Sequence, residues 1–165
     1  GMHETTQLCI RQLQKYVNEE SLVLDVGTGS GILGIAALKL GAKEVWGTDL
    51  DENAITAVGE NLASNQISPD RFHVLQGNII DDPAVKDWAG YDKYDLVTAN
   101  ILAPVIILLQ KEIPVHLKKG GIFITSGIIN TKEKEVLDAF AANDQLEVVE
   151  VNHQGDWVNV TARKR

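Results

Sequence analysis

Val23-Leu24-Asp25-Val26-Gly27-Thr28-Gly29-Ser30-Gly31 is the stretch whose reading decides the fold. A short apolar run ends in glycines at alternate positions. The following segment, Ile32 to Leu40, reads as a helix with Ile32, Ile35, Ala36 and Leu40 on one face and Gly41 as its C-terminal cap. A glycine signature has physical meaning only between a strand and a helix, which is where this one stands. Glycine lets the chain turn sharply and lets a ligand touch the backbone. The helix N-terminus beyond it offers free N–H groups. The spacing is Gly-x-Gly-x-Gly, not the Gly-x-Gly-x-x-Gly of nicotinamide binders. Asp25, two residues before the first glycine, would repel a pyrophosphate and attract a ligand with an ammonium group.

Outward from this loop the pattern alternates. Glu44 to Asp49, Phe72 to Leu75, Tyr94 to Ala99 and Gly121 to Ser126 read as further strands, and Ile101-Leu102-Ala103 as a short apolar strand run. Asp51 to Asn65 reads as a helix burying Ala54, Ile55, Val58 and Leu62. Ala103 to Leu117, Thr131 to Ala142 and an opening segment from Thr5 to Tyr16, with Leu8, Cys9 and Leu13 on one face, also read as helices. Strands and helices at this spacing make right-handed crossovers and a parallel sheet covered on both faces. The ending differs. Leu146 to Asn152 and Trp157 to Ala162 are strand-like runs separated only by His153-Gln154-Gly155-Asp156. That gap is too short for a crossover helix, so the two form an antiparallel hairpin. With no linker or repeat, residues 1–165 are expected to form one domain.

Polar residues close successive strands. Asp49 lies 22 residues beyond Gly27, where a carboxylate can accept hydrogen bonds from both ribose hydroxyls of an adenosine. Asn78, in Gly77-Asn78-Ile79, can set an amide beside the adenine edge. Asn100 ends the fourth strand and begins Asn100-Ile101-Leu102-Ala103-Pro104. All would lie along the carboxyl edge, where open α/β sheets bind ligands. Taken singly, each has a plain alternative. Asp25 can cap the following turn, Asp49 or Asp51 the next helix, and Asn78 can be a turn residue. Their joint occurrence at consecutive strand ends argues for a site.

Composition narrows the class. With 44% apolar and 23% charged residues the chain is an ordinary globular protein, not a disordered or fibrous one. No apolar run approaches the ~18 residues of a spanning helix, so no membrane span is expected. Fifteen basic against 23 acidic side chains give −8, which argues against a general nucleic-acid surface. The tail Arg163-Lys164-Arg165 is too short to be a binding arm. Cys9 is the one cysteine, and no signal sequence opens the chain, so a reduced, cytoplasmic protein is expected. His3, His73, His116 and His153 show no metal-ligand spacing, and no metal is expected. Trp88, Tyr91 and Tyr94 read as core or rim. Gly1 before Met2 reads as a tag-cleavage scar.

The Asp25–Gly31 loop, Asp49 and the terminal hairpin resemble the class I S-adenosyl-methionine-dependent methyltransferases over nearly the whole chain. That resemblance implies a Rossmann-like α/β fold, a seven-stranded, mostly parallel sheet with a C-terminal antiparallel hairpin and helices on both faces. His3-Glu4-Thr5-Thr6, Asn100-Ile101-Leu102-Ala103 and Trp157 narrow it further. They are similar to the PrmA family, methyltransferases that modify protein eleven of the large ribosomal subunit. By that resemblance the cofactor is S-adenosyl-L-methionine, and Thr6, Gly27, Asp49 and Asn100 match cofactor-contacting positions. Gly29 and Gly31 of the loop, Asp25 and Asn78 complete the candidate cofactor set, and Asn100 also stands where the target atom is held. The family carries an N-terminal domain that recognises the ribosomal protein. This chain starts almost at the His-x-Thr-Thr motif, so the resemblance implies a catalytic domain alone, either excised or a stand-alone relative with another substrate.

The implied chemistry is methyl transfer to amino groups, lysine side chains or an N-terminal amine, of a ribosomal protein. Asn100 can orient the amine but cannot act as a general base, and the Leu102–Pro104 backbone shapes the same pocket. The rival readings are a methyltransferase acting on a small molecule, another protein or a nucleic acid (the acidic charge argues modestly against the last), a non-catalytic adenosine-ligand module, and a nicotinamide dehydrogenase. Glycine spacing and Asp25 disfavour the dehydrogenase.

Overall fold

Alternation along the central strands divides the core in two. Val23, Leu96, Ile122 and Ile124 are buried on one face of the sheet, and Leu24, Val97 and Phe123 on the other. The computed structural model describes residues 2–165, and Gly1, read above as a scar, lies outside them. In chain order the elements are α1 (Met2–Tyr16), β1 (Leu22–Val26), α2 (Ile32–Lys39), β2 (Glu44–Asp49), α3 (Asn53–Ser64), β3 (Phe72–Gln76), α4 (Pro83–Ala89), β4 (Tyr94–Asn100), α5 (Ala103–Leu109), β5 (Leu117–Ile129), α6 (Glu133–Ala141), β6 (Leu146–Gln154) and β7 (Trp157–Lys164). The seven strands form one sheet in the order β3-β2-β1-β4-β5-β7-β6. Helices α1, α2 and α3 cover the first face, and α4, α5 and α6 the second.

The first five strands pair in parallel, and β7 runs antiparallel between β5 and β6. The expected hairpin is therefore present, with its second strand inserted into the sheet. Among the described residues no helix is long and apolar enough to cross a membrane.

Several local expectations are corrected. Helix α2 buries Leu33, Gly34, Ile35, Ala37 and Leu38, leaving Ile32 and Leu40 exposed. The segment is apolar nearly all round, so periodicity cannot select its face. Close approach does: a Cβ on Gly34 would stand 2.4 Å from the Phe72 ring. On α3, Ala54, Val58 and Leu62 are buried while Ile55 is half exposed. The helix expected over Ala103 to Leu117 stops at Leu109, and a single 3-10 turn follows at Ile113–Val115. Pro114 lacks the N–H that would continue the helical ladder to Gln110. Ile101 and Leu102 form the bend between β4 and α5 rather than a strand. The crossover from β3 to β4 contains α4, whose Asp82 cap accepts from the Ala84 N–H at 2.9 Å.

A polar network seats α1 on the hairpin. Lys15 Nζ and Gln12 Nε2 donate to the Glu150 carboxylate at 2.8 and 2.7 Å. Thr161 Oγ1 donates to Gln12 Oε1, and Asn159 Nδ2 to the Thr125 carbonyl. Lys15 foremost, then Asn152, holds the Glu150 carboxyl at about 2. Cys9 is fully buried on α1, where burial pushes its thiol up, with Asp25 and Ser126 as neighbours. The early turns of α1 therefore lie at the carboxyl ends of β1 and β5.

Candidate active site

The carboxyl ends of β1, β2, β3 and β4 enclose a cavity of about 440 Å³. Its floor and walls are mostly apolar: Val26, Ile79, Ile80, Ile101, Leu102 and Val105. Of the residues singled out in the sequence, Gly27, Asp49 and Asn78 line it. Such a pocket, apolar with a few placed polar groups, is the usual form of a small-molecule site.

The glycine loop wraps back onto β2. Gly27 and Thr28 donate their N–H groups to the Thr48 carbonyl at 2.8 and 2.9 Å. The Gly29 N–H donates to Asp49 Oδ2 at 2.8 Å, and the Asp51 N–H to Asp49 Oδ1 at 2.9 Å. Asp49 thus both caps the turn into α3 and faces the cavity, so the two readings of its role are compatible. Gly27 has φ +73°, and a Cβ there would stand 2.8 Å from Ile101 Cγ2. Only glycine allows that turn and that contact together. Gly31 precedes α2 and is buried against Val58, outside the cavity.

Asn78 also does two things. Its Oδ1 accepts the Ile80 N–H at 2.9 Å, which makes it a turn residue, and it lines the cavity beside Gly77.

Asp25 lies beneath the loop, 2% exposed, and does not line the cavity. Thr28 Oγ1 and Thr98 Oγ1 donate to its two oxygens, each at 2.8 Å. Burial raises its carboxyl to about 6; the Thr98 and Thr28 hydroxyls oppose that rise and the nearby Asp49 adds to it. The acid therefore ties the glycine loop to β4 from below.

Asn100 ends β4 beside Ser126, its register partner on β5. It is half-buried, and among the described residues its side-chain amide makes no hydrogen bond. The adjoining Ile101 and Leu102 carry the chain into the cavity wall. Pro104 occupies the first turn of α5, where its missing N–H costs nothing. Thr6 is half-buried on α1 and does not line the cavity. Its neighbour Gln7 accepts a hydrogen bond from Gln154 Nε2 of β6.

Leu50, Ile80, Val105 and Leu108 were not anticipated from the sequence. Leu50 and Leu102 are each 69% exposed, and Leu108 is 54% exposed. For Leu50 and Ile80 the available signal was a large apolar side chain in a strand-end loop, where polar residues are the rule; Val105 and Leu108 stand on α5.

Comparison with known proteins agrees with this geometry. The family model described as ribosomal protein L11 methyltransferase (PrmA) matches residues 1–165. A ribosomal protein L11 methyltransferase from Lachnospira eligens is 58% identical over 165 residues, covering 100% of this chain and 52% of that protein. One from Agathobacter rectalis is 54% identical, covering 99% of this chain and 51% of its own length. The chain therefore spans about half the length of these relatives. A crystal structure of a ribosomal protein L11 methylase from Lactobacillus delbrueckii subsp. bulgaricus superposes with a TM-score of 0.87 at 35% identity, covering 100% of this chain and 81% of that one. By sequence and by fold, this chain belongs to the ribosomal protein L11 methyltransferase (PrmA) family.

Proposed function

We propose that residues 1–165 act as a catalytic domain that transfers methyl groups from S-adenosyl-L-methionine to amino groups of a ribosomal protein, on lysine side chains or an N-terminal amine. The observation that carries this is the arrangement along one sheet edge. An apolar cavity has the Asp49 carboxylate at its wall, and the Asn100 amide, without a hydrogen-bond partner among the described residues, lies next to it, joined through Ile101 and Leu102. Relatives named as methyltransferases of a ribosomal protein supply the acceptor class. The proposal sets the reaction in the cytoplasm.

The residues fit the cofactor. A slot of about 440 Å³ between apolar side chains suits a purine nucleoside, whose ribose hydroxyls Asp49 would receive and whose base Asn78 would meet. Asp25, Gly27, Gly29 and Gly31 build the turn that would carry the rest of the cofactor, and Thr6 of α1 would contact it from outside the cavity. When bound, S-adenosyl-methionine supplies a methyl group already activated on a sulfonium.

The protein's task is then to present a neutral amine in line. A lysine amine with its ordinary pKa near 10.4 costs about 4.6 kcal/mol to deprotonate at pH 7, at 1.36 kcal/mol per unit. A site that excludes water lowers that cost by disfavouring the ammonium. The Asn100 carbonyl oxygen accepts an amine N–H and aims the lone pair, which is catalysis by orientation.

The test is methyl transfer from labelled S-adenosyl-methionine, with the ribosomal protein and a lysine-rich peptide as acceptors and mass spectrometry of the products. Label on protein amines is the expected result. Failure to bind either S-adenosyl-methionine or S-adenosyl-homocysteine by calorimetry, or label only on a small molecule or RNA, overturns the reading.

A further inference from the structure

Among the described residues the Asn100 amide has no hydrogen-bond partner to fix it, which leaves its orientation to its packing neighbours. One of those neighbours, Gly127, presents bare backbone. An added Cβ at Gly127 would stand 3.0 Å from Asn100 Oδ1 and 2.5 Å from the Ile101 carbonyl oxygen. Both distances are closer than a real Cβ tolerates without displacing its neighbour. On the opposite side, Gly27 leaves room for the Ile101 side chain. The Asn100–Ile101 segment is thus seated between two strand ends, β1 and β5, that each lack a side chain at the point of contact.

The seat is an irregular one. The β5–β7 pairing shifts register between Thr125 and Ile128, which brackets Ser126 and Gly127. Such bulges re-aim side chains and recur beside active sites. Just before it, the Ser126 carbonyl accepts the Ile101 N–H at 3.2 Å, holding the bend that follows Asn100. Gly127 itself has φ +85°.

We propose that Gly127 is a positioning residue for methyl transfer: its missing side chain leaves the space in which the Asn100 amide and the Ile101 carbonyl take their working orientation. This deepens the reading of Asn100 as the group that orients the acceptor amine, and rests on it. The contact acts through Asn100, and Gly127 does not line the cavity.

A glycine at positive φ is strained by any substitution, so the test needs a matched control. Gly120 has φ +81° and open space where its Cβ would be. Gly120→Ala therefore carries the backbone strain without the contact. Gly127→Ala should lower single-turnover methyl transfer by about 10²-fold, the scale of a 1 Å misplacement. Its affinity for S-adenosyl-homocysteine should change far less, and Gly120→Ala should leave both near parental. In an Asn100→Ala background, Gly127→Ala should lower turnover little further, because the two residues act as one unit. Parental turnover in Gly127→Ala overturns the proposal, as does an undiminished effect in the Asn100→Ala background.

A second measurement needs no substitution and no activity. NMR relaxation of the side-chain amides in the unsubstituted chain should give Asn100 an order parameter near the ~0.85 of rigid backbone, against below ~0.6 for the exposed Asn53 amide. An Asn100 amide as mobile as that of Asn53 ends the proposal, even if Gly127→Ala fails to fold. If the unsubstituted chain transfers no methyl group, the functional reading falls while the relaxation result still decides the positioning.

Discussion

The Gly29 N–H donates to Asp49 Oδ2 at 2.8 Å, so the turn after β1 and the acid that ends β2 are one unit. The same carboxylate receives the Asp51 N–H on its other oxygen and borders the cavity. Its remaining lone pairs are what a ribose can use.

Asp49→Ala is therefore expected to weaken S-adenosyl-homocysteine binding by at least tenfold, since hydrogen bonds to a charged group are worth about 1.5–3 kcal/mol each. Asp49→Asn should lose less, because its carbonyl oxygen still receives the Gly29 N–H. NAD should bind neither parent nor variant. Calorimetry on the three proteins checks this, and parental affinity in Asp49→Ala removes the ribose from this position.

Asn100→Ala should separate activity from stability. No hydrogen bond within the described fold uses its amide, so Tm should stay within a few degrees of the parent while kcat falls about 10²-fold or more. A large loss of Tm with activity falling only in proportion to the unfolded fraction would make Asn100 a structural residue.

The buried Asp25 carboxyl should reveal itself in the pH dependence of stability. Its value rises from 3.8 to about 6 on folding, mainly through burial. Between those values the folded state binds more protons than the unfolded state, so this group's contribution to stability falls as pH rises through the window. Asp25→Asn removes that dependence. The Tm difference, variant minus parent, should therefore climb as pH is raised from about 4 to about 6 and level off above. Thermal scans across that range check it, and a difference independent of pH would show that the acid titrates normally.

The apolar rim should contribute to cofactor affinity and not to folding. Leu102 is 69% exposed and lines the cavity. Leu102→Asp should weaken S-adenosyl-homocysteine binding by about tenfold, the effect of roughly half a leucine side chain returned to water. Its Tm should stay near parental. Unchanged affinity would place the ligand deeper in the cavity, away from α5.

The strand–helix alternation and the terminal hairpin were legible because they depend on local signals. The short gap at His153–Asp156 excludes a crossover, and alternating strands and helices leave few topologies. That Gly27, Asp49 and Asn78 gather at one sheet edge, where they line the cavity, was legible for the same reason, since each stands at or just beyond the end of a strand. Helix faces were less so. Ile32 and Ile55 look buried by composition but are exposed, because Gly34 sets which side of α2 meets Phe72 and α3 buries only Ala54, Val58 and Leu62. The helix over Pro83–Ala89 is short and offers too little periodicity to be read.

What the sequence by itself determined is the class of site: a glycine turn after a strand, acids and amides at successive strand ends, and a hairpin that closes the sheet. These follow from backbone sterics and residue spacing, which act within a few residues of one another. What only the tertiary structure decided is how those residues divide the work. Asp25 turned out to lie under the loop, held by Thr98 of a different strand. Asp49 is shared between the loop and the cavity. Among the described residues Asn100 is left without a hydrogen-bond partner, against Gly127, and Leu50, Val105 and Leu108 form a rim around the opening. Burial and close approach between distant segments fix these roles, and neither has a signature in the local order of residues.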